Sequence, residues 1–367
     1  LTLLTMLHAI LMAGGSGTRF WPASRLSTPK QLLSLVGGAS MIRQTCDRFG
    51  DLAPPERQMV VTNRRLVAAV RDQLPDLPDG AIVGEPCKRD TAPCIGLAAL
   101  LVTRIAGDPD ATMLVSPADH VITPPEAFQA AVRQAVALVD ERPGRIVTFG
   151  IKPTYPAEIF GYIQRGEAIA AESGGAPVYR VERFVEKPSA ATAADYLKSG
   201  DFYWNSGIFV WRAQTILDAL RERQPKMLAH LEKIVDAWQT PDRQSVFDRE
   251  FTAIEGISVD YAVMEHATDV AVIEAPYEWD DLGGWQSLQR RLGEDENGNT
   301  IVGKHIGLNT TGSIVRSDDN HLVVTLGLKD CIVVHTPDAT LVASKHDEES
   351  IRKVVKELET RGWSEHL

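Results

Sequence analysis

The chain has 367 residues, 44% hydrophobic and 24% charged, with no low-complexity tract, so it can fold as one large domain plus a smaller one. Its formal net charge of −11 excludes a general nucleic-acid or anionic-membrane binder, which needs a broad basic face. Four cysteines, none in C-x-x-C spacing, exclude zinc-ribbon and thioredoxin-like sites and read as idle thiols in a reducing compartment.

The opening "LTLLTMLHAILMA" is apolar, but it lacks a basic n-region and a cleavage-type segment. Residues 1–5 read as a ragged start before Met6, and the protein is expected in the cytoplasm. No stretch approaches the roughly 18 unbroken apolar residues of a membrane span, so no membrane partner is expected.

"HAILMA" (8–13), "QMVVT" (58–62), "ATMLVSP" (111–117) and "RIVTFGI" (145–151) are short apolar runs that predict buried strands. The stretch 91–107 predicts a helix apolar on all sides. Residues 125–141 predict an amphipathic one, with Phe128, Ala131, Val132, Ala135 and Val139 on one face. Alternating strands and helices predict an α/β domain with a mainly parallel mixed sheet. Further strands are expected at 179–188, 206–213 and 269–276, with a helical region near 213–238. Over 299–344 the texture changes to short β runs broken by Gly, Asn and Asp, which predicts a small separate coiled β module. A last helix follows, with Asp347 as its expected N-cap and Ile351, Val354, Val355 and Leu358 as a docking stripe. The expected divisions are 6–292, 299–345 and 346–367.

The stretch "GGSGTRFWPASRLSTPKQLL" (14–33) matches neither G-x-G-x-x-G, because Phe20 stands at the third glycine, nor the Walker A run. A dinucleotide oxidoreductase is thereby excluded. What remains is a strand, the glycines Gly14, Gly15 and Gly17, then Thr18, Arg19 and Lys30. Glycines let backbone N–H groups approach an anion, and Arg19 and Lys30 supply charge, so the loop predicts phosphate binding.

This stretch resembles the loop that opens the sugar-1-phosphate nucleotidylyltransferases, in the form of their mannose-1-phosphate guanylyltransferase branch. Seven more stretches agree in order: "EPCKRDTAPC" (85–94), "SPADHVI" (116–122), "FGYI" (160–163), "FVEKP" (184–188), "WNSGIF" (204–209), "ISVDYAVME" (257–265) and "WDDLGGW" (279–285). The resemblance implies a Rossmann-like nucleotide-diphospho-sugar transferase domain with a carboxy-terminal β-helix-like module and terminal helix. It implies GTP and mannose 1-phosphate as substrates, GDP-mannose and pyrophosphate as products, Mg²⁺ (or Mn²⁺) as cofactor, and a homodimer.

Residue by residue, the resemblance implies that Asp119 and Asp281 are metal ligands, Asp280 being the tolerant neighbour. Arg19 and Lys30 would hold the GTP phosphates, Lys187 the sugar phosphate and Glu186 the mannose hydroxyls, with Gly161 and Asn205 completing the sugar pocket. Gly14, Gly15, Gly17 and Thr18 would meet the nucleotide, and Glu85 with Pro86 the guanine. His120 and the tryptophans Trp21, Trp204 and Trp285 are expected to be structural. Asp90 departs from the family by replacing an amide. No segment for the cupin-type isomerase domain of bifunctional relatives is expected. Two alternatives stay open: another sugar-phosphate and nucleotide pair, such as glucose 1-phosphate with UTP or dTTP, and a non-catalytic nucleotide-sugar sensor. Asp119→Ala is expected to abolish turnover and leave the fold intact.

Overall fold

The computed structural model describes residues 7–169, 175–318 and 320–367, so the expected beginning at Met6 lies outside the described residues. The apolar runs form β1 (Leu7–Ala13), β2 (Gln58–Asn63), β3 (Ile82–Glu85), β4 (Thr112–Pro117), β5 (Val121–Thr123) and β6 (Ile146–Ile151). They continue as β7 (Tyr162–Ile169), β8 (Val178–Val185), β9 (Phe202–Arg212), β10 (Val270–Glu274) and β11 (Glu278–Asp280). Nine of them make one sheet in the order β3-β2-β1-β4-β9-β6-β10-β8-β7, and β5 pairs with β11 apart from it.

The β3-β2-β1-β4 half is parallel and buried on both faces, which is why its strands read as unbroken apolar runs. β9 enters antiparallel between β4 and β6, and β10 rejoins β6 in parallel. β7 pairs with both β8 and β9, so β9-β6-β10-β8-β7 close on themselves around Ile163, Tyr203 and Val272.

The helix Pro125–Glu141 matches its expected bounds, and all five residues of its predicted face are buried. The helix Thr91–Leu100 is buried from Ala92 to Leu100. It lies between the sheet and the helices Ala213–Arg223 and Pro225–Asp236, and a Cβ on its Gly96 would come within 2.8 Å of Leu220 and Leu231. Packing on every side accounts for its all-round apolar sequence.

Beyond residue 299, β12 (Thr300–Val302), β14 (Ile314–Ser317) and β16 (Cys331–His335) stack in parallel. β13 (Lys304–Leu308) and β15 (Leu322–Leu326) make a second parallel pair, and β17 (Thr340–Ser344) closes antiparallel on β16. The coil is as expected, but it is not separate. Its Ile314, Ile332, Val334 and Leu341 share one core with Phe20, Trp21, Trp285 and the last helix's Ile351 and Leu358. A coil this small cannot bury its own apolar face, and the glycine loop's aromatic residues complete it. The last helix, Ile351–Arg361, docks by its predicted stripe, while Ser350 rather than Asp347 is its N-cap. Asp347 instead accepts the Ser350 hydroxyl at 2.6 Å.

Candidate active site

The glycine loop leaves the carboxyl end of β1, the edge where parallel sheets gather ligands. A Cβ on Gly14 or Gly15 would meet nothing within 4 Å, so both face open space. Gly17 is different. Its φ is +60°, and a Cβ there would lie 2.4 Å from the Lys30 Cβ, so conformation and close approach both demand glycine. That crossing sets Thr18 and Arg19 beside Lys30 in a cavity of ≈ 500 Å³. Asp119 and His120, just past β4, and Asp281, just past β11, form its other wall, with Lys88 and Arg352.

Some of the charges in this cavity are already engaged with one another. Lys30 is only 6% exposed, and its ammonium donates to Asp119 Oδ2 at 2.9 Å and to the Asp281 backbone carbonyl. Burial works to raise the Asp119 carboxyl, but the neighbouring Lys30 ammonium overcomes it and holds the carboxyl below the usual range. The Asp281 carboxylate accepts no hydrogen bond among the described residues, and burial pushes it up to about 6. Asp280 turns away, taking Arg290 at 3.0 and 3.2 Å and capping the Leu282 N–H. Burial pushes the His120 imidazole down to about 4, and its Nδ1 accepts the Trp279 indole N–H at 3.1 Å, so it buttresses the wall as a neutral ring. Arg19 donates to the Gly283 carbonyl at 2.8 Å and faces Glu349 at 2.9 Å.

No cluster of three or more His, Cys, Asp or Glu able to hold a metal occurs among the described residues. Two carboxylates on one cavity, one of them without a hydrogen bond, nonetheless suit a hard divalent cation that completes its shell with phosphate oxygens and water.

Lys88 also lines a second cavity, of ≈ 270 Å³, whose walls include Gly14, Gly15, Val61, Asn63, Glu85, Asp90 and Cys94. Glu85 ends β3 and is 7% exposed; its Oε1 is buried without a partner, and burial pushes the carboxyl up to about 8. Pro86 does not line this cavity. Asp90 caps the following helix, its Oδ1 accepting the Thr91 N–H at 2.9 Å from a φ of +67°.

The third group also converges. A Cβ on Gly161 would come within 2.5 Å of Glu186 Oε2 and 3.4 Å of the Asn205 Cβ. Lys187, at φ +45°, points outward and pairs with Glu186 Oε1 at 2.8 Å, which raises its ammonium. Sequence reasoning missed Asp260, which accepts the Asn205 amide at 2.9 Å and is pushed up to about 6 by burial and by Glu186. Its signal was the "SVDY" cap, since Ser258 opens a helical turn that carries Asp260 inward. Arg352 was also missed. Trp21, Trp204 and Trp285 are buried in packing, and all four cysteines are free. Among the described residues no helix is long and apolar enough to cross a membrane.

Residues 8–297 match the nucleotidyl transferase family model, and residues 303–358 match the MannoseP isomerase/GMP-like beta-helix domain. The mannose-1-phosphate guanylyltransferase of Escherichia coli K12 is 40% identical, over 98% of this chain and 75% of that protein. The xanthan biosynthesis protein XanB of Xanthomonas campestris (ATCC 33913) is 41% identical, over 97% of this chain and 74% of its own length. A crystal structure described as a mannose-1-phosphate geranyltransferase from Thermus thermophilus superposes with a TM-score of 0.85 at 32% identity, covering 96% of this chain and 99% of that one. The chain belongs to the nucleotidyl transferase family.

Proposed function

We propose that the protein is a mannose-1-phosphate guanylyltransferase, joining GTP and mannose 1-phosphate to give GDP-mannose and pyrophosphate. The likeness to enzymes of that name extends over nearly the whole chain. The observation that carries the reading is the pair of cavities that share Lys88 in their walls, one sized for a base and lined by Glu85, the other lined by cations and two aspartates.

In this reading an oxygen of the sugar phosphate forms a bond to the α-phosphorus while the bond from that phosphorus to the leaving pyrophosphate breaks in line. A phosphate monoester loses its second proton at about pH 6, so the nucleophile needs no general base. The protein's contribution is therefore to position two polyanions and offset their charge. Gly14, Gly15, Gly17 and Thr18 offer backbone to the nucleotide, and Glu85 faces the guanine in the cavity that Pro86 does not line. Arg19 and Lys30 take up charge on the departing pyrophosphate. Lys187 holds the sugar phosphate, while Glu186, Asn205 and the space left by Gly161 receive the mannose. Asp119 and Asp281 would hold magnesium, or manganese in its place, which when bound neutralises phosphate charge. The cytoplasmic location and the homodimer belong to the same reading and rest on the resemblance alone.

The test is pyrophosphate release by the purified protein with Mg²⁺, across GTP, ATP, UTP and dTTP, each with mannose 1-phosphate and glucose 1-phosphate. Release confined to GTP with mannose 1-phosphate supports the reading. Release with a different pair overturns the substrates, and nucleotide binding without release from any pair favours a sensor.

A further inference from the structure

Glu349 lies between two arginines of the phosphate cavity. Its carboxylate faces two arginines at once, with Arg19 Nε 2.9 Å from Oε1 and Arg352 Nη1 3.7 Å from Oε2. Both arginines line the phosphate cavity, yet they come from opposite ends of the chain. Arg19 belongs to the glycine loop, and Arg352 lies in the first turn of the terminal helix.

The segment bearing Arg352 is fastened independently of that ion pair. The neighbouring Glu348 accepts the Gln286 backbone N–H and side-chain amide, each at 3.1 Å. A Cβ on Gly284 would come within 2.5 Å of Glu348 Oε1, so the loop that bears Asp281 lies directly against this segment. Glu349 itself is 66% exposed and Arg352 52%, against 19% for Arg19. Exposed ion pairs contribute little and exchange readily, whereas a polyphosphate offers more charge and paired acceptors to a guanidinium. Of the cavity's four cations, Lys30 is engaged by Asp119 and Lys88 has no carboxylate partner among the described residues, whereas Arg19 and Arg352 share one that is exposed and exchangeable.

We propose that Arg352, supplied by the carboxy-terminal helix, is a further phosphate-binding residue, and that Glu349 is the internal anion that Arg19 and Arg352 give up for a polyphosphate. The assignment rests on the proposed reaction for the identity of that anion, a nucleoside triphosphate or the pyrophosphate it releases. It gives the terminal helix a second role beside docking on the shared core, because the helix places a cation over the site.

The test uses the full chain and inorganic pyrophosphate as the calorimetric probe, with steady-state kinetics alongside. Arg352→Gln should weaken pyrophosphate binding and raise KM for GTP by roughly three- to tenfold, with KM for mannose 1-phosphate unchanged. Arg352→Lys should recover part of the loss. Glu349→Gln should tighten pyrophosphate binding, by roughly two- to fivefold. Arg361→Gln, at the far end of the same helix, is the control and should change neither.

Unaltered pyrophosphate affinity in Arg352→Gln overturns the assignment. So does an equal weakening for both substrates together with a lowered Tm, which marks a packing role. Weaker pyrophosphate binding in Glu349→Gln overturns the exchange. If the wild-type chain releases no pyrophosphate from any nucleotide, the proposed reaction fails, and the calorimetry still decides the assignment.

Discussion

The two joined cavities are built on opposite electrostatic terms. Around the phosphate cavity two cations already have partners: Lys30 has Asp119, and Arg19 has Glu349. In the base cavity Glu85 is alone, a desolvated carboxyl whose Oε1 meets no donor. The first arrangement keeps charge soluble and ordered until a polyanion replaces the internal partners. The second holds a polar group under strain until a base with N–H donors arrives. A site of internal ion pairs resists removal of one member, whereas a lone buried carboxyl should be stabilising to remove.

Asp119→Ala breaks the comparison most severely. Turnover should fall by about 10³-fold or more through loss of the proposed metal ligand and of the Lys30 partner. The sequence-based expectation of an intact fold needs amending, because Lys30 would remain buried with only the Asp281 carbonyl. Stability should drop by about 1–3 kcal/mol, discounted for the partial exposure of Asp119, as read by denaturant unfolding. Unchanged stability would show that the pair is not the tie described above.

Glu85→Gln should act in the opposite sense. KM for GTP should rise by about tenfold or more as an acceptor for guanine is lost, while Tm increases. The sign follows from linkage. The unfolded chain releases this proton near pH 4.5, the folded chain near 8, so the wild-type fold loses stability as pH rises between those values. The advantage of Gln should therefore grow from pH 4.5 to 8, reaching about 1–3 kcal/mol. A variant less stable than wild type at pH 8 contradicts the lone-carboxyl account.

Asp281 gives a pH prediction for the phosphate cavity. Its carboxyl, pushed up to about 6 by burial, must be ionised to bind a divalent cation. Apparent Mg²⁺ affinity should fall about tenfold per pH unit below that value, and added Mg²⁺ should restore turnover at pH 5.5. An acid limb that magnesium cannot shift places the titration elsewhere.

The smallest effect belongs to the exposed cation. Lys187→Ala should raise KM for mannose 1-phosphate by about tenfold, leave KM for GTP unchanged, and alter stability by less than about 0.5 kcal/mol. Equal changes for both substrates would remove Lys187 from the sugar side.

Much of this was legible in the sequence where function lies close along the chain. The glycine loop, the acidic residues past β4 and β11, and the amphipathic helix 125–141 each show in a few consecutive residues. What was not legible depends on distant segments meeting. Arg19 and the Gly283 carbonyl it bonds are 264 residues apart, and nothing in the pattern around Arg352 distinguishes a site cation from a solvated helix face. The β module looked separate because its inward residues are few, and their partners Phe20, Trp21 and Trp285 lie in other motifs. β9 was expected from residue 206, but it begins at Phe202. The polar Asn205 interrupted the apolar run, and the pairing slips between Thr148 and Gly150 opposite it, where Asn205 donates to Asp260.

The most direct test follows the transferred phosphorus. GTP labelled at the α-phosphate, incubated with mannose 1-phosphate, Mg²⁺ and the purified chain, should pass its label to GDP-mannose, while γ-labelled GTP gives labelled pyrophosphate. Label from the γ-phosphate in the sugar product, or no transfer to sugar in either experiment, would contradict the account.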